Sequence, residues 1–346
     1  MPDLRIAVLG TGAQGASVGA DLVRAGLDVT FIDQWAAHVE AMRADGVQVK
    51  VAGEAQTTDV TALHLYEVCE QRKPFDVVLV AVKAYDTRWA CEMIVPALHP
   101  TSLVVGMQNG MTMDAMAQIV GPERTIGAVV EIAANMWDPG IINRETPRSD
   151  TWFSVGAHEE GRQAAEETVV ALLQHAGSTR VSDDIRSSKW MKLVVNAAEG
   201  LPSSILGLPV IEASNVPGIR DVMTSAGDEA IRAGLALGYR SVPILDTPVD
   251  VEAEPAAYAR RLLDRVLSHY NSPTTKFAVL QDWLKGRRGE VDDVSGLVAH
   301  EQARLGGEAP VNRRLVAVAH RIERGELSPE PDNVTMLVAS GDPVPS

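Results

Sequence analysis

Apolar positions in the first ninety residues form short β-branched runs at 5–9 and 29–32, each followed by helical periodicity, at 17–25 and 36–44. This alternation predicts βαβ units, because parallel strands need a crossover and a helix supplies it. The run 75–82 is apolar on successive residues, as expected of a central parallel strand covered on both faces. A predicted helix over 89–98 ends before Pro100, and another apolar strand follows at 103–106. Beyond Gly121-Pro122 lie strand-like segments at 125–134, 141–144 and 152–155, separated by turn residues that include Asp138-Pro139-Gly140. They are expected to extend the same sheet.

From about Asp183 strand signals fade and helical periodicity dominates, as at 222–237, 258–267, 295–304 and 314–323. The pattern predicts an α/β fold with a doubly wound N-terminal domain over 1–182 and a mostly α-helical domain over 183–327. Residues 328–346, rich in Pro, Asp and Gly, read as a loosely held tail. The length of 346 residues exceeds what one hydrophobic core usually organises, in agreement with two domains.

Composition is ordinary for a globular protein, with 46% hydrophobic and 22% charged residues. Charge excludes more. With 46 acidic against 31 basic residues, a net charge of -15 repels phosphate backbones and anionic lipid, so neither nucleic acid nor a membrane surface is an expected partner. A small anion remains admissible, because local Lys and Arg outweigh distant, screened charge. Cys69 and Cys91 make no disulfide framework, and neither they nor the eight histidines show metal-ligand spacing, so no metal is expected. No charged leader with an apolar core precedes the first strand, no apolar stretch approaches the roughly 18 residues of a membrane span, and a cytoplasmic protein is the expectation.

Gly10-Thr11-Gly12-Ala13-Gln14-Gly15 follows the first strand and opens the first helix. In a Rossmann-type unit the first glycine permits a tight turn, the second lets backbone approach a pyrophosphate, and the third lets helix pack on strand. The helix start offers free N–H groups and the positive end of its dipole to the phosphates. Asp33 ends the second strand, where a carboxylate accepts hydrogen bonds from the ribose hydroxyls of NAD and repels the 2'-phosphate of NADP. NAD is therefore the expected cofactor. The alternatives are that Asp33 only starts the turn before the next helix, and that Arg43 or Lys50 reaches a phosphate and admits NADP.

Further candidates stand at the ends of later strands. Lys83 follows the 75–82 run and is placed to meet an anionic group, or is a solvated loop lysine. Asn109, in Gln108-Asn109-Gly110, offers an amide to orient a nicotinamide or substrate, or belongs to an Asn-Gly turn. In the segment 189–196 Lys192 and Asn196 lie four apart on one helical face, and Lys189 is expected to be the solvated lysine. The mixed charges of 282–292, taken alone, read as a solvated turn between helices. No G-x-S-x-G elbow supports a hydrolase.

Taken in order, the Gly10–Gly15 loop, Val82-Lys83-Ala84, Gln108-Asn109-Gly110, Lys192 with Asn196, and Gly289-Glu290-Val291-Asp292 resemble the ketopantoate reductase family from about residue 4 to residue 325. The resemblance implies a dinucleotide-binding domain, a helical domain and an active site in the cleft between them. It implies Lys192 as the general acid that protonates a keto oxygen during hydride transfer, and Glu290 as a ligand of a substrate hydroxyl that also positions the lysine. Asn109 and Lys83 would line the cofactor and substrate site, and Asn196 would contact substrate. The expected assembly, separately, is a homodimer through the helical domain.

Three departures from the family pattern are visible: Asp33-Gln34-Trp35 where many members carry an arginine, Gly200 where a second asparagine is common, and Ala278 where a serine is common. The first favours NAD. The other two remove polar contacts, so a bulkier or more apolar 2-keto acid than ketopantoate is expected, as for an NAD-dependent 2-hydroxyacid dehydrogenase of this family. The competing readings are an authentic NADPH-dependent ketopantoate reductase, an opine- or imine-type dehydrogenase, and a non-catalytic nucleotide sensor.

Overall fold

A computed structural model describes residues 4–245 and 255–338. The chain divides into two compact units, Met1–Ile185 and Arg186–Ser346, three residues beyond the expected boundary.

Among the described residues the first unit holds twelve strands: β1 (Arg5–Leu9), β2 (Asp28–Asp33), β3 (Val47–Val51), β4 (Glu54–Thr58), β5 (Thr61–His64), β6 (Phe75–Val80), β7 (Leu98–Gly106), β8 (Thr125–Glu131), β9 (Ala134–Asn135), β10 (Ile141–Arg144), β11 (Trp152–Ala157) and β12 (Ser178–Val181). Its helices are α1 (Ala13–Arg24), α2 (Ala36–Asp45), α3 (Thr87–Ile94), α4 (Met113–Val120) and α5 (Gln163–Leu173). Eight strands form the main sheet in the order β12-β11-β8-β7-β6-β1-β2-β5. All neighbours in it are parallel except β11 and β8. Along β1, Ile6 and Val8 pack into one apolar cluster and Ala7 and Leu9 into another, so the sheet is buried on both faces, as its uninterrupted apolar runs require.

The segments after residue 121 do not all extend this sheet. β8 and β11 do, but β9 and β10 join β3 and β4 in a separate four-stranded sheet. β3 alternates strictly (VQVKV), but its partner β4 (EAQTT) is polar and exposed along most of its length, so the pair gives no hairpin signal and a second sheet does not show in the sequence.

The second unit is helical: α6 (Ile185–Ile205, its first residue in the other unit), α7 (Val210–Ser214), α8 (Ile219–Ala236), α9 (Pro255–His269), α10 (Ala278–Leu284), α11 (Leu297–Arg304), α12 (Pro310–Glu323) and α13 (Val334–Val338). Trp190 of α6 is buried against α8, where its indole N–H donates to the Ala230 carbonyl (2.8 Å). The buried Glu229 carboxylate accepts the N–H groups of Val311 and Asn312 (both 2.9 Å) at the start of α12, where helix amides lack partners.

The loosely held tail is corrected as far as residue 338. Leu337 is buried, Glu330 N–H donates to the Ile205 carbonyl (3.1 Å), and the Asn333 amide donates to the carbonyls of Ile205 (2.9 Å) and Ser328 (2.8 Å). The Pro, Asp and Gly content concealed a short apolar helix, Val334–Val338, that docks on the core. Residues 339–346 lie outside the described residues.

Candidate active site

Because β1, β2, β6 and β7 are parallel neighbours, the residues that follow them emerge at one edge of the sheet. That edge carries the glycine loop, Asp33, Lys83 and Asn109, and the order reverses beside β1, where doubly wound folds bind ligands. Lys83 precedes a single turn at Ala84–Asp86 and Asn109 follows Gln108, whose amide donates to Thr87 Oγ1 (2.9 Å). Both Lys83 and Asn109 are half-buried.

Each glycine of the loop has its own constraint. Gly10 has φ +91°, and a Cβ there would lie 2.6 Å from the Val82 amide nitrogen. At Gly15 it would lie 2.2 Å from the Gly10 carbonyl oxygen, so only glycine lets α1 start this close to the strand. At Gly12 it would meet no atom within 4 Å. The protein does not need that glycine for packing, and the open space beside it suits a group arriving from outside, such as a pyrophosphate. Ala13 and Gln14 open α1, and the Gln14 amide donates to the Ile132 carbonyl (3.1 Å).

Asp33 is buried and engaged within the protein. Its Oδ2 accepts the Thr11 N–H (2.7 Å) and hydroxyl (3.0 Å), and its Oδ1 accepts the Trp35 N–H (2.9 Å). The contact with Trp35 is the turn before α2 weighed above, so Asp33 serves the loop and the turn together. Arg43 is committed too: it donates to the Ala62 carbonyl (3.0 Å) and to Glu40 (3.1 Å), and it pairs with Glu67. Lys50 lies on β3 of the smaller sheet.

In the second unit Lys192, Asn196 and Gly200 follow one another at four-residue spacing along α6. Lys192 is half-buried and Asn196 is 3% exposed. A Cβ on Gly200 would lie 2.6 Å from the ring of Phe277, itself half-buried, so an aromatic ring covers the third position of this stripe. The Asn271 amide also reaches α6, donating to Glu199 Oε2 (2.9 Å).

The solvated reading of 282–292 is overturned for two of its acids: Asp282 is 2% exposed and Glu290 5%. Glu290 precedes a wide turn, Asp292–Gly296, in which the Gly296 N–H donates to the Val291 carbonyl five residues back (3.0 Å). Such π-type turns recur at functional sites. Asp293 went unnoticed in the sequence. Burial, and then the charge of Glu290, push its carboxyl up to about 6, and its Oδ2 has no hydrogen-bond partner among the described residues.

Lys189 is corrected as well. It is 4% exposed, and burial lowers its ammonium to about 8. Lysine looks the same in sequence whether it is solvated or enclosed; only the packing of α6 separates 189 from 192. Between pH 8 and 10.5 the folded chain has released a proton that the unfolded chain still holds, so this group lowers stability below pH 8 and ceases to do so as pH rises to 10.5. Lys189→Met is expected to raise the urea midpoint at pH 7, with the gain over wild type shrinking across that window. A gain that did not change with pH would refute the assignment.

No helix among the described residues is long and apolar enough to cross a membrane. Among those residues no group of three or more His, Cys, Asp or Glu side chains forms a metal cluster.

With this geometry in place, comparison with known proteins decides the family. Residues 6–158 match the ketopantoate reductase PanE/ApbA model and residues 184–323 match its C-terminal companion. The chain belongs to the ketopantoate reductase family. It is 27% identical over 324 residues to 2-dehydropantoate 2-reductase of Archaeoglobus fulgidus, covering 93% of this chain and 98% of that one. It is 28% identical over 350 residues to the protein of that name from Mesorhizobium japonicum, covering 93% and 99%. Among solved structures, a PanE/ApbA family ketopantoate reductase from Ralstonia eutropha JMP134 superposes with a TM-score of 0.76 at 28% identity, over 93% of this chain and 99% of that chain. D-mandelate dehydrogenase with NADH and anilino(oxo)acetate shares the fold, with a TM-score of 0.81 at 22% identity over 93% and 99%.

Proposed function

We propose that this member of the ketopantoate reductase family transfers a hydride between NAD(H) and a 2-keto or 2-hydroxy acid, with Lys192 as general acid and base. The observation that carries the reading is the stripe on α6, where a half-buried lysine lies one turn from a buried asparagine. The residues fit the cofactor: Gly10, Thr11, Gly12, Ala13, Gln14 and Gly15 would cradle its pyrophosphate, Asp33 would face its ribose, and Lys83 and Asn109 would border its nicotinamide. When bound, the nicotinamide supplies or accepts the hydride.

In reduction the Lys192 ammonium gives its proton to the keto oxygen as charge develops there, and it recovers one from solvent afterwards. Asn196 would orient the substrate, and the Glu290 carboxylate would hold a substrate hydroxyl and offset the charge of the lysine. Asp33, together with an Arg43 already bound by Glu40 and Glu67, favours NAD over NADP.

The ring of Phe277 over Gly200 and the methyl of Ala278 offer carbon where polar side chains would bind a hydroxylated substrate. They favour a 2-keto acid with a bulky apolar substituent. A homodimer is the proposed assembly; a Staphylococcus aureus ketopantoate reductase of the same fold is described as dimeric.

The test is the initial rate of NADH and NADPH oxidation with ketopantoate beside branched, aromatic and short 2-keto acids. Faster turnover of an apolar keto acid with NADH is the expected result. Preference for ketopantoate with NADPH would overturn both the cofactor and the substrate assignment, and no turnover of any keto acid would remove the enzymatic reading itself.

A further inference from the structure

His38, the third residue of α2, is fully buried. Its Nε2 stands 2.8 Å from the Thr11 carbonyl oxygen, and its Nδ1 accepts the N–H of Gly140 (2.8 Å). A carbonyl opposite one nitrogen and an amide N–H opposite the other require the neutral imidazole with its proton on Nε2. The Gly140 carbonyl in turn accepts the Gln48 N–H of β3 (2.9 Å), so the turn that holds the imidazole is itself anchored.

Thr11 is thus held at each of its polar groups: N–H and hydroxyl by Asp33, carbonyl by His38. A peptide unit is planar, and no cis peptide occurs among the described residues. The carbonyl of Thr11 and the N–H of Gly12 belong to one such plane and point in opposite directions. Fixing the oxygen on His38 therefore fixes the opposite direction for the Gly12 N–H, which belongs to the one glycine of the loop beside which a Cβ would meet nothing. By the same geometry, Asp33 fixes the plane joining Gly10 to Thr11.

We propose that His38 is a positioning residue for the dinucleotide: it touches no ligand and acts by aiming the Gly12 amide through the Thr11 carbonyl. The proposal rests on the cofactor reading above. It accounts for a buried histidine that neither catalysis nor the apolar core requires, and it specifies the chemistry of position 38 as one donor and one acceptor on opposite sides of a compact side chain. Glutamine meets that description, whereas alanine does not.

The test is NADH affinity of the full chain, followed by cofactor fluorescence, in wild type, His38→Ala and His38→Gln. Misaiming one N–H to a phosphate forfeits a charge-assisted hydrogen bond, so the alanine variant is expected to bind about tenfold or more weakly, with the KM for NADH rising by a similar factor. The glutamine variant is expected to recover most of the loss, and so is the alanine variant supplied with free imidazole. Urea midpoints show whether each variant folds; should the alanine variant fail, His38→Leu, which keeps bulk without donor or acceptor, replaces it. Wild-type affinity in the alanine or leucine variant, or equal losses in the glutamine and apolar variants, would overturn the proposal. Absence of NADH binding by the wild-type chain would instead overturn the cofactor reading.

Discussion

Replacing Lys192 with alanine is expected to lower kcat by at least about two orders of magnitude while NADH binding persists. The expectation follows from what an ammonium does at that point. As hydride reaches the keto carbon, negative charge gathers on the oxygen, and a donor fixed in a partly dehydrated setting stabilises it without reorganising. The flanking Met191 and Leu193 are fully buried, so the backbone that carries Lys192 is held by the core. No other group named on the α6 stripe can take over, because Asn196 is a far weaker acid and Gly200 has no side chain. The check is kcat at saturating NADH and keto acid, with cofactor affinity titrated separately. Near-normal kcat would take Lys192 out of the chemistry, and loss of NADH binding would mean that the substitution had damaged the fold.

Much of this site was legible because backbone geometry restricts which residues can serve. The glycine loop could be read letter by letter: Gly10 and Gly15 are enforced by atoms a Cβ would strike, and Gly12 by nothing inside the protein. The parallel strands were legible for a similar reason, since strands buried on both faces must be apolar throughout. What escaped notice depends on partners remote in sequence. Lys189 reads as a surface residue until α6 is packed, and the ring that covers Gly200 comes from a residue 77 positions away. In the sequence Asp33 reads as a cofactor ligand or a turn residue; its grip on Thr11, and the pairing of Thr11 with His38, show only once β2 and α2 lie beside the loop. The second sheet was missed because the periodicity of β4 is that of a solvent-facing edge.

That second sheet introduces a buried charge pair with a large expected effect. Arg144, at the end of β10, is 3% exposed, and its guanidinium donates to Asp21 Oδ2 of α1 (2.6 Å), to the Thr146 carbonyl (2.8 Å), to Thr151 Oγ1 (2.6 Å) and to the Ala176 carbonyl (3.2 Å). One side chain thus joins the helix that begins at the glycine loop to the smaller sheet and to the segments that lead into β11 and β12. Asp21, which also pairs with Arg24, is the carboxylate that neutralises that guanidinium. Removing it leaves a buried cation without a counter-charge, which costs about 3–5 kcal/mol where a pair is broken from one side. Against a total stability of about 5–15 kcal/mol, Asp21→Ala is therefore expected to lower the urea midpoint severely. Arg144→Leu combined with Asp21→Ala is expected to recover a substantial part, because the apolar pair has no charge left to dehydrate. If Asp21→Ala loses less than about 1 kcal/mol, the range of exposed pairs, the guanidinium is solvated or repartnered in solution, and Arg144 does not hold α1 in place. If the single variant falls and the double variant recovers, NADH affinity should follow the same order, since the N-terminus of α1 and the glycine loop move with the helix that Arg144 anchors.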